Sequence, residues 1–336
     1  MKAEDRFVEK LRHLLPDCGR VLIGPGDDAA LIAERTGSLA ATTDLLVEGV
    51  DFLPGENPEQ IGRRALAVNL SDLAAMGARP EFFLLSIAFA PSKDGDYALG
   101  IVRGAISQAM RFGACLVGGD ISNSTNTVVS VALWGEPAGE ALRRSGARPG
   151  DELWLSGYTG RAAAGLRLAR SPVGAHPQWL RTGRLSAEDE AELLAAYRDP
   201  VPRLGLGLWL ARENVAHAAI DVSDGLGVDA GRLARASGVR AVIERDRIPV
   251  SASVMAVAQQ ESADPMEWIL AGGDDYELLF AAARGDAPRL TPARPEWEIF
   301  VTQIGYFEEG EGTVLRDRLG DRDVSDLGYD HLETPG

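Results

Sequence analysis

The chain has 336 residues, 45% of them hydrophobic, and a formal net charge of −16. That length favours two domains with sizeable cores, while the acidic balance argues against a nucleic-acid binder, whose contact surface must be basic. No apolar run approaches the ~18 residues of a membrane span, the N-terminus is charged rather than signal-like, and the three lysines lie outside any Gly-rich motif, which removes a phosphate-binding P-loop.

Charge and hydrophobe alternate at helical spacing over residues 3–15, and Pro16 stops the run. Strands are expected at 21–23, 29–32 and 39–43. Asn57-Pro58 reads as an N-cap with proline at the first helical position, opening a helix with Ile61, Ala65 and Val68 on one face. That helix is expected to run to Asn69, with Ser71 or Asp72 capping a second, short one that ends near Gly77. A strand over 81–89, a helix over 97–112, a run at Leu116-Val117 leading into Gly118-Gly119-Asp120, and a strand over 127–134 complete an α/β (α+β layered) first domain, 1–138. The second, 139–336, begins with a connector through Arg143, Arg144 and Pro149. It continues with a strand at 152–156, a Gly-rich turn, an Ala-rich helix, a helix from Ser186 with acids in its first turn, and a helix over 204–214. A strand at 218–220, a helix from about Gly227 to Gly238, and strands at 240–243 and 276–281 follow. No internal repeat is visible. Cys18 and Cys115, far apart and with no CxxC, argue against a disulfide scaffold or zinc site and fit a cytoplasmic chain.

One pattern recurs six times: an apolar segment ending in aspartate beside Gly, Ser or Thr. It appears in IGPGDDAA (23–30), ATTD (41–44), NLSD (69–72), VGGD (117–120), IDVSDG (220–225) and AGGDD (271–275). Any one of these is an ordinary turn or cap residue. Six with a common grammar need a common explanation, because two carboxylates about 4 Å apart repel by roughly 4 kcal/mol at an effective dielectric of 20. Hard oxygen ligands select divalent cations such as Mg²⁺, which typically share their shell with substrate phosphates. A phosphate-plus-cation site follows from the residues alone.

Together GPGDDAA, TTDLLVEGVDF, NLSDLAAMGARP, VGGDIS, RSGARPGD, DVSDGL and GGDDYELLF resemble the thiamine-monophosphate kinase family, of the aminoimidazole ribonucleotide synthetase-like superfamily, from about residue 4 to 331. The resemblance implies a two-domain fold, an N-terminal domain that binds ATP and metal and forms a barrel-like homodimer interface, and a C-terminal domain completing the active site. It implies direct phosphoryl transfer from ATP to thiamine monophosphate with several Mg²⁺ ions, and no side chain acting as acid or base. Asp27, Thr42, Thr43, Asp44, Asp72, Asp120, Asp221 and Asp224 would be metal ligands, Asp72 and Asp120 central among them. Gly119, Asp120, Arg144 and Ser223 would contact ATP, and Asp51, Asp274 and Tyr329 the second substrate. Four positions depart from the family pattern: Asp51 stands where His is usual, Tyr329 where Trp or Phe is, Asp274 where Glu is more frequent, and Arg161 where Asp is common. The competing readings are a purine-pathway cyclo-ligase of the same superfamily and a non-catalytic divalent-cation binding protein. The second would favour EF-hand-like loops, which are absent.

Overall fold

The computed structural model describes all residues except 1–2, 17, 26–28, 34–35, 171–184, 293, 298, 331 and 333–336; for 3–5 it describes the backbone alone. Packing divides the chain into two compact units: Met1–Leu73 with Ala78–Pro137, and Ala74–Gly77 with Ala138–Gly336.

In the first unit, helix α1 (Ala3–Arg12) precedes the small antiparallel pair β1 (Val21–Ile23) and β2 (Leu31–Ile32). A four-stranded sheet follows, built from β3 (Ala40–Val47), β4 (Ala78–Phe89), β5 (Cys115–Asn123) and β6 (Val128–Pro137) in the order β3-β6-β4-β5. β4 and β5 are parallel and the other pairs antiparallel. Helices α2 (Pro58–Ala75) and α3 (Gly95–Phe112) complete the unit. The N-terminus of α2 is set as the sequence implies, Asn57 Oδ1 accepting the Glu59 N–H at 2.8 Å with Pro58 following the cap. α3 is capped by Asp94 and closed by Gly113 at φ 80°. The two helices touch backbone to backbone: a Cβ on Gly104 would lie 1.9 Å from the Glu59 carbonyl oxygen.

Strand alternation sorts the sheet into two faces. Phe83, Leu85, Val129, Val131 and Leu133 are buried on one. The other presents Thr43, Leu45, Phe82, Leu84, Ser130 and Trp134, with Leu45 56% and Leu84 36% exposed.

The second unit is built on a seven-stranded sheet containing β7 (Glu152–Ser156), β8 (Ala216–Val222), β9 (Arg240–Glu244), β10 (Glu277–Ala282), β11 (Val301–Glu308), β12 (Thr313–Asp317) and β13 (Gly320–Asp323). The order is β13-β12-β9-β11-β7-β10-β8, antiparallel except for β12 with β9. Among the described residues seven α-helices accompany it: α4 (Arg161–Arg170), α5 (Ala187–Arg198), α6 (Leu204–Arg212), α7 (Leu226–Ser237), α8 (Ala252–Glu261), α9 (Pro265–Ala271) and the single turn α10 (Ala287–Leu290). One core joins Leu226, Leu233 and Ile269 to the sheet residues Ile220, Leu279 and Ile304; a second gathers Leu168, Leu193, Val257 and Trp268.

Four expectations are corrected. α2 runs unbroken to Ala75, so Ser71 and Asp72 are helix-interior residues rather than caps, the apolar stripe extending through Leu70 and Leu73. Asp44 and Asp120 lie within β3 and β5 rather than at strand tips, because backbone pairing continues past them. β4 begins at Ala78 and includes Pro80, whose missing N–H costs nothing where β6 alone is its partner and the register shifts. Finally, Cys18 and Cys115 form a disulfide across a separation of 97 residues, fastening the segment after α1 to the start of β5. Arg20 supports the same attachment by pairing with Glu81 of β4.

Closing so long a loop restricts the unfolded chain, an effect of typically about 2–4 kcal/mol. Cys18→Ser is therefore expected to lower the unfolding free energy of the oxidised protein by that amount, read as a fall in the denaturant midpoint. Reductant should reproduce the loss in the wild type and add nothing in the variant.

Candidate functional site

In the first unit the acids are placed by register. Thr42 and Asp44, two apart on β3, share the sheet's buried face. Thr42 Oγ1 donates a hydrogen bond to Asp72 Oδ2, bringing α2 and β3 together at this point. One turn earlier on α2, Asn69 is fully buried. Its amide donates to the Ala65 carbonyl at 3.0 Å, and its Oδ1 has no hydrogen-bond partner. Thr43 faces the opposite side, its hydroxyl donating to the Val131 carbonyl at 2.9 Å. Asp120 also lies on that side, in the cross-strand row of Ser86 and Ser130, and takes its own neighbour's N–H (Ile121, 2.9 Å). Asp44 is on β3 and Asp120 on β5, three strand spacings apart, or roughly 14 Å along the sheet. One chain thus joins Thr42 to Asp72, with Asp44 on the same face, and leaves Asp120 and Thr43 apart from them. Asp27 lies outside the described residues.

These donors suit the implied cation. Thr42, Asp44 and Asp72 offer hard oxygens alone, and the buried, unpartnered Asn69 Oδ1 adds a neutral one on the same helix face as Asp72. Among the described residues no group of three His, Cys, Asp or Glu could by itself hold a metal ion. Such a set matches Mg²⁺, which keeps several ligands from water and phosphate.

Beside β5 is a cavity of about 840 Å³ lined by Phe7, Val8 and Leu11 of α1, by Gly24 and Pro25, and by Gly119 and Asp120 among others. Gly119 admits close backbone approach here, since a Cβ would sit 1.8 Å from the Leu85 carbonyl oxygen. Asp51 closes the turn after β3, its Oδ2 accepting the Val47 N–H at 2.7 Å. The same turn is pinned by Glu48, which takes Lys93 Nζ on both oxygens at 2.9 Å and the Thr127 N–H. Burial works against the Glu48 charge, yet Lys93 and Thr127 hold its carboxyl below the usual range.

In the second unit the residues converge on the loop after β8. Asp221 is the last residue but one of that strand, 4% exposed, and Ser223, Asp224 and Gly225 lead into α7. The loop carbonyls of Val222, Ser223 and Asp224 accept the N–H groups of Tyr276, Asp274 and Tyr329 at 2.8, 2.7 and 2.9 Å. Asp274 and Tyr276 both adopt left-handed backbone, φ 68° and 52°, and Tyr276 Oη donates to Asp274 Oδ1 at 2.8 Å. Strain of that kind, of order 1–3 kcal/mol per residue, persists only where surroundings impose it. Ser223, Asp224, Asp274 and Tyr329, all expected from sequence or resemblance, are therefore one connected group, with Asp221 beside it in β8. Arg144 is not drawn into it. Its carbonyl accepts from Ser237 at the C-terminal end of α7, about 18 Å of helix from the loop, and its side chain is exposed.

Asp229 and Arg232 were overlooked by the motif reading, and Asp275, although quoted in it, was given no role. Asp229, fully buried, takes the N–H groups of Ser223, Asp224 and Gly225 on Oδ2. Arg232 bridges Asp229 Oδ1 and Asp224 Oδ2. Burial pushes the Asp229 carboxyl above its ordinary range, opposed by the Asp224 N–H and Arg232. The legible signal was an acid in the first turn of a helix followed by Arg at i+3. Asp275 accepts the Gly160 and Ala162 N–H groups at 2.6 and 3.1 Å where α4 begins, beside Arg161 and Glu277. Burial pushes its pKa up to about 7, against the pull of those N–H groups and Arg161.

Comparison with known proteins accords with this arrangement. Residues 26–136 match the family described as AIR synthase related protein, N-terminal domain, and 148–318 match its C-terminal domain. A thiamine-monophosphate kinase of Salmonella typhimurium is 34% identical over 98% of this chain and 97% of its own length. The crystal structure of the enzyme of that name from Stenotrophomonas maltophilia K279a superposes with a TM-score of 0.81 at 35% identity, covering 93% and 96% of the two chains. A structure described as AaThiL complexed with AMPPCP and TMP superposes at 0.76, with 31% identity over 98% and 96%.

A carboxyl whose folded pKa lies above its unfolded value binds its proton more tightly in the folded state. It therefore favours folding at low pH, and that contribution is lost as pH rises from about 4 through about 7. Urea midpoints of the wild type and Asp275→Asn, compared across that interval, should show the decline in the wild type and its flattening in the variant. The motifs, the geometry and the full-length matches lead to one assignment: this chain belongs to the thiamine-monophosphate kinase family, within the AIR synthase-related proteins.

Proposed function

We propose that the protein transfers the γ-phosphoryl group of ATP to the phosphate of thiamine monophosphate, giving thiamine diphosphate and ADP. The observation that carries this reading is the match, over 98% of the chain, to enzymes named for that activity, and the site chemistry supports it. A phosphate oxygen of thiamine monophosphate attacks the γ-phosphorus in line, and the bond to the β,γ-bridging oxygen breaks with its electron pair leaving on ADP. That nucleophile is ionised near neutral pH, so no side chain has to remove a proton. Positioning and charge neutralisation carry the catalysis.

Thr42, Asp44 and Asp72, together with Asp27, Thr43, Asp120, Asp221 and Asp224, are the residues we assign to Mg²⁺. Bound there, Mg²⁺ supplies the positive charge that allows two polyanions to meet. The cavity beside β5 suits ATP, with apolar side chains of α1 for the base and the close backbone at Gly119 and Asp120 for the phosphates. In the second unit, Ser223 and Arg144 are the residues we assign to the nucleotide, the guanidinium being a fork matched to phosphate oxygens. Asp274, held by Tyr276, and the half-exposed Tyr329 are proposed for the thiamine moiety, with Asp51 as a third contact.

A homodimer belongs to the same reading. The open sheet face with Leu45 and Leu84 is the kind of surface a second copy covers. The separation of Asp44 from Asp120 within one chain likewise favours a site shared between copies. No described helix is long and apolar enough to cross a membrane. We place the enzyme in the cytoplasm, where ATP is supplied; the Cys18–Cys115 bond is unusual for that compartment.

The test is a product assay with ATP, Mg²⁺ and thiamine monophosphate. Thiamine diphosphate should form one for one with ADP, and no thiamine diphosphate under any Mg²⁺ concentration overturns the reading. Asp72→Asn should keep the far-UV circular dichroism and thermal transition while lowering kcat roughly 100-fold. Near-normal turnover would return Asp72 to a plain partner of Thr42.

A further inference from the structure

Three consecutive N–H groups turned to one side of a loop make a concavity that ordinarily receives an anion. Here Ser223, Asp224 and Gly225 form one, and its occupant is part of the chain: Asp229 Oδ2, at 3.0, 3.0 and 3.2 Å. A capping acid would reach back to the N–H of the N-cap residue, Gly225. Asp229 goes further and takes two residues that lie outside the helix. Its other oxygen receives Arg232 Nη1 at 2.7 Å, and that same nitrogen also bonds Asp224 Oδ2. The buried carboxylate is thus fully supplied with donors, and the guanidinium fixes the direction of the Asp224 side chain.

The outward side of the loop completes the picture. With its N–H groups gathered inward, it presents the carbonyls of Val222, Ser223 and Asp224 to the segments carrying Tyr276, Asp274 and Tyr329. Ser223, Asp224, Asp274 and Tyr329 therefore share one internal anchor, which Asp224 also meets through Arg232.

We infer that Asp229 and Arg232 are positioning residues for Mg²⁺-nucleotide binding: Asp229 sets the loop backbone by filling its N–H concavity, and Arg232 aims Asp224. This rests on the proposed reaction and names how its second-unit ligands are held. With the N–H groups occupied, a nucleotide phosphate meets Ser223 through its hydroxyl. Metal-ligand supports of this kind are typically worth about 10–100-fold in metal affinity.

The experiment uses the full-length protein and Mg²⁺ with the non-hydrolysable analogue AMPPCP. Calorimetry gives the AMPPCP Kd at saturating Mg²⁺, and a Mg²⁺ titration of the thermal transition with AMPPCP present gives a metal midpoint. Asp229→Asn and Arg232→Gln are each expected to weaken AMPPCP binding about 10-fold or more and to move the Mg²⁺ midpoint upward, with Arg232→Lys recovering most of the loss. A purely structural role would lower the ligand-free melting temperature and leave both values at wild type, and that result overturns the inference. Should Asp229→Asn fail to fold, Arg232→Gln decides alone, because the one-third exposed Arg232 can be replaced without disturbing the three N–H bonds to Asp229. If the wild type itself does not bind Mg²⁺-AMPPCP, the proposed reaction fails and this inference with it. Wild-type binding with unchanged variants overturns the inference alone.

Discussion

Aspartates of like charge can be kept near one another only when each has a donor to hold it, and that constraint organises both units. Asp72 takes the Thr42 hydroxyl, Asp51 the Val47 N–H and Asp120 the Ile121 N–H. Asp224 has Arg232, Asp229 has three N–H groups, Asp274 has Tyr276 and Asp275 has two N–H groups at the start of α4. Most of these donors are neutral. A neutral donor orients a carboxylate without cancelling its charge, so the acids remain available to a cation while the fold is stable enough to wait for one.

The donor inventory also explains the composition. A phosphoryl-transfer site lined with lysines would bind nucleotide directly and would pull the aspartates into ion pairs. Here Lys93 is committed to Glu48, and the arginines nearest the loop after β8 bind acids: Arg232 on Asp224 and Asp229, Arg203 and Arg161 on Glu277. That arrangement agrees with a reaction whose nucleophile is already an anion and whose requirement is alignment.

Much of this was legible in the sequence, for definite reasons. The Asn57-Pro58 start of α2, the strand alternation of β6 and the acidic loops were readable because capping and period-2 patterning are local. The position of Asp within its element was not. Gly118-Gly119-Asp120 looks like a turn, yet parallel pairing with β4 carries β5 straight through it, and only the neighbouring strand could reveal that. Ser71 and Asp72 look like caps, but Leu70 and Leu73 continue the buried stripe and the helix with it. β11 to β13 escaped notice because their apolar positions are interrupted by Gly and charged residues, and their strand character comes from pairing: β11 with β7 and β9, β12 with β9, and β13 with β12. The disulfide and the Asp229 anchor depend on contacts that sequence spacing does not encode.

The departures from the family pattern take on physical meaning in this setting. Arg161 stands at the first position of α4, where a cation opposes the helix dipole and an acid is the favourable choice. Two acids offset that cost. Glu192 lies 3.3 Å from one guanidinium nitrogen, and the fully buried Glu277 lies 3.1 Å from the other. Glu277 is held as well by Arg203 through two bonds at 2.6 Å and by the Ser156 hydroxyl. Asp275 meets the same helix start, accepting the Gly160 and Ala162 N–H groups on either side of Arg161. Arg161 in turn binds Glu277, two residues beyond Asp275, so the start of α4 and the 274–277 segment are joined at both points. Because Asp275 lies between the two left-handed residues Asp274 and Tyr276, these contacts help fix the conformation of the segment that presents Asp274.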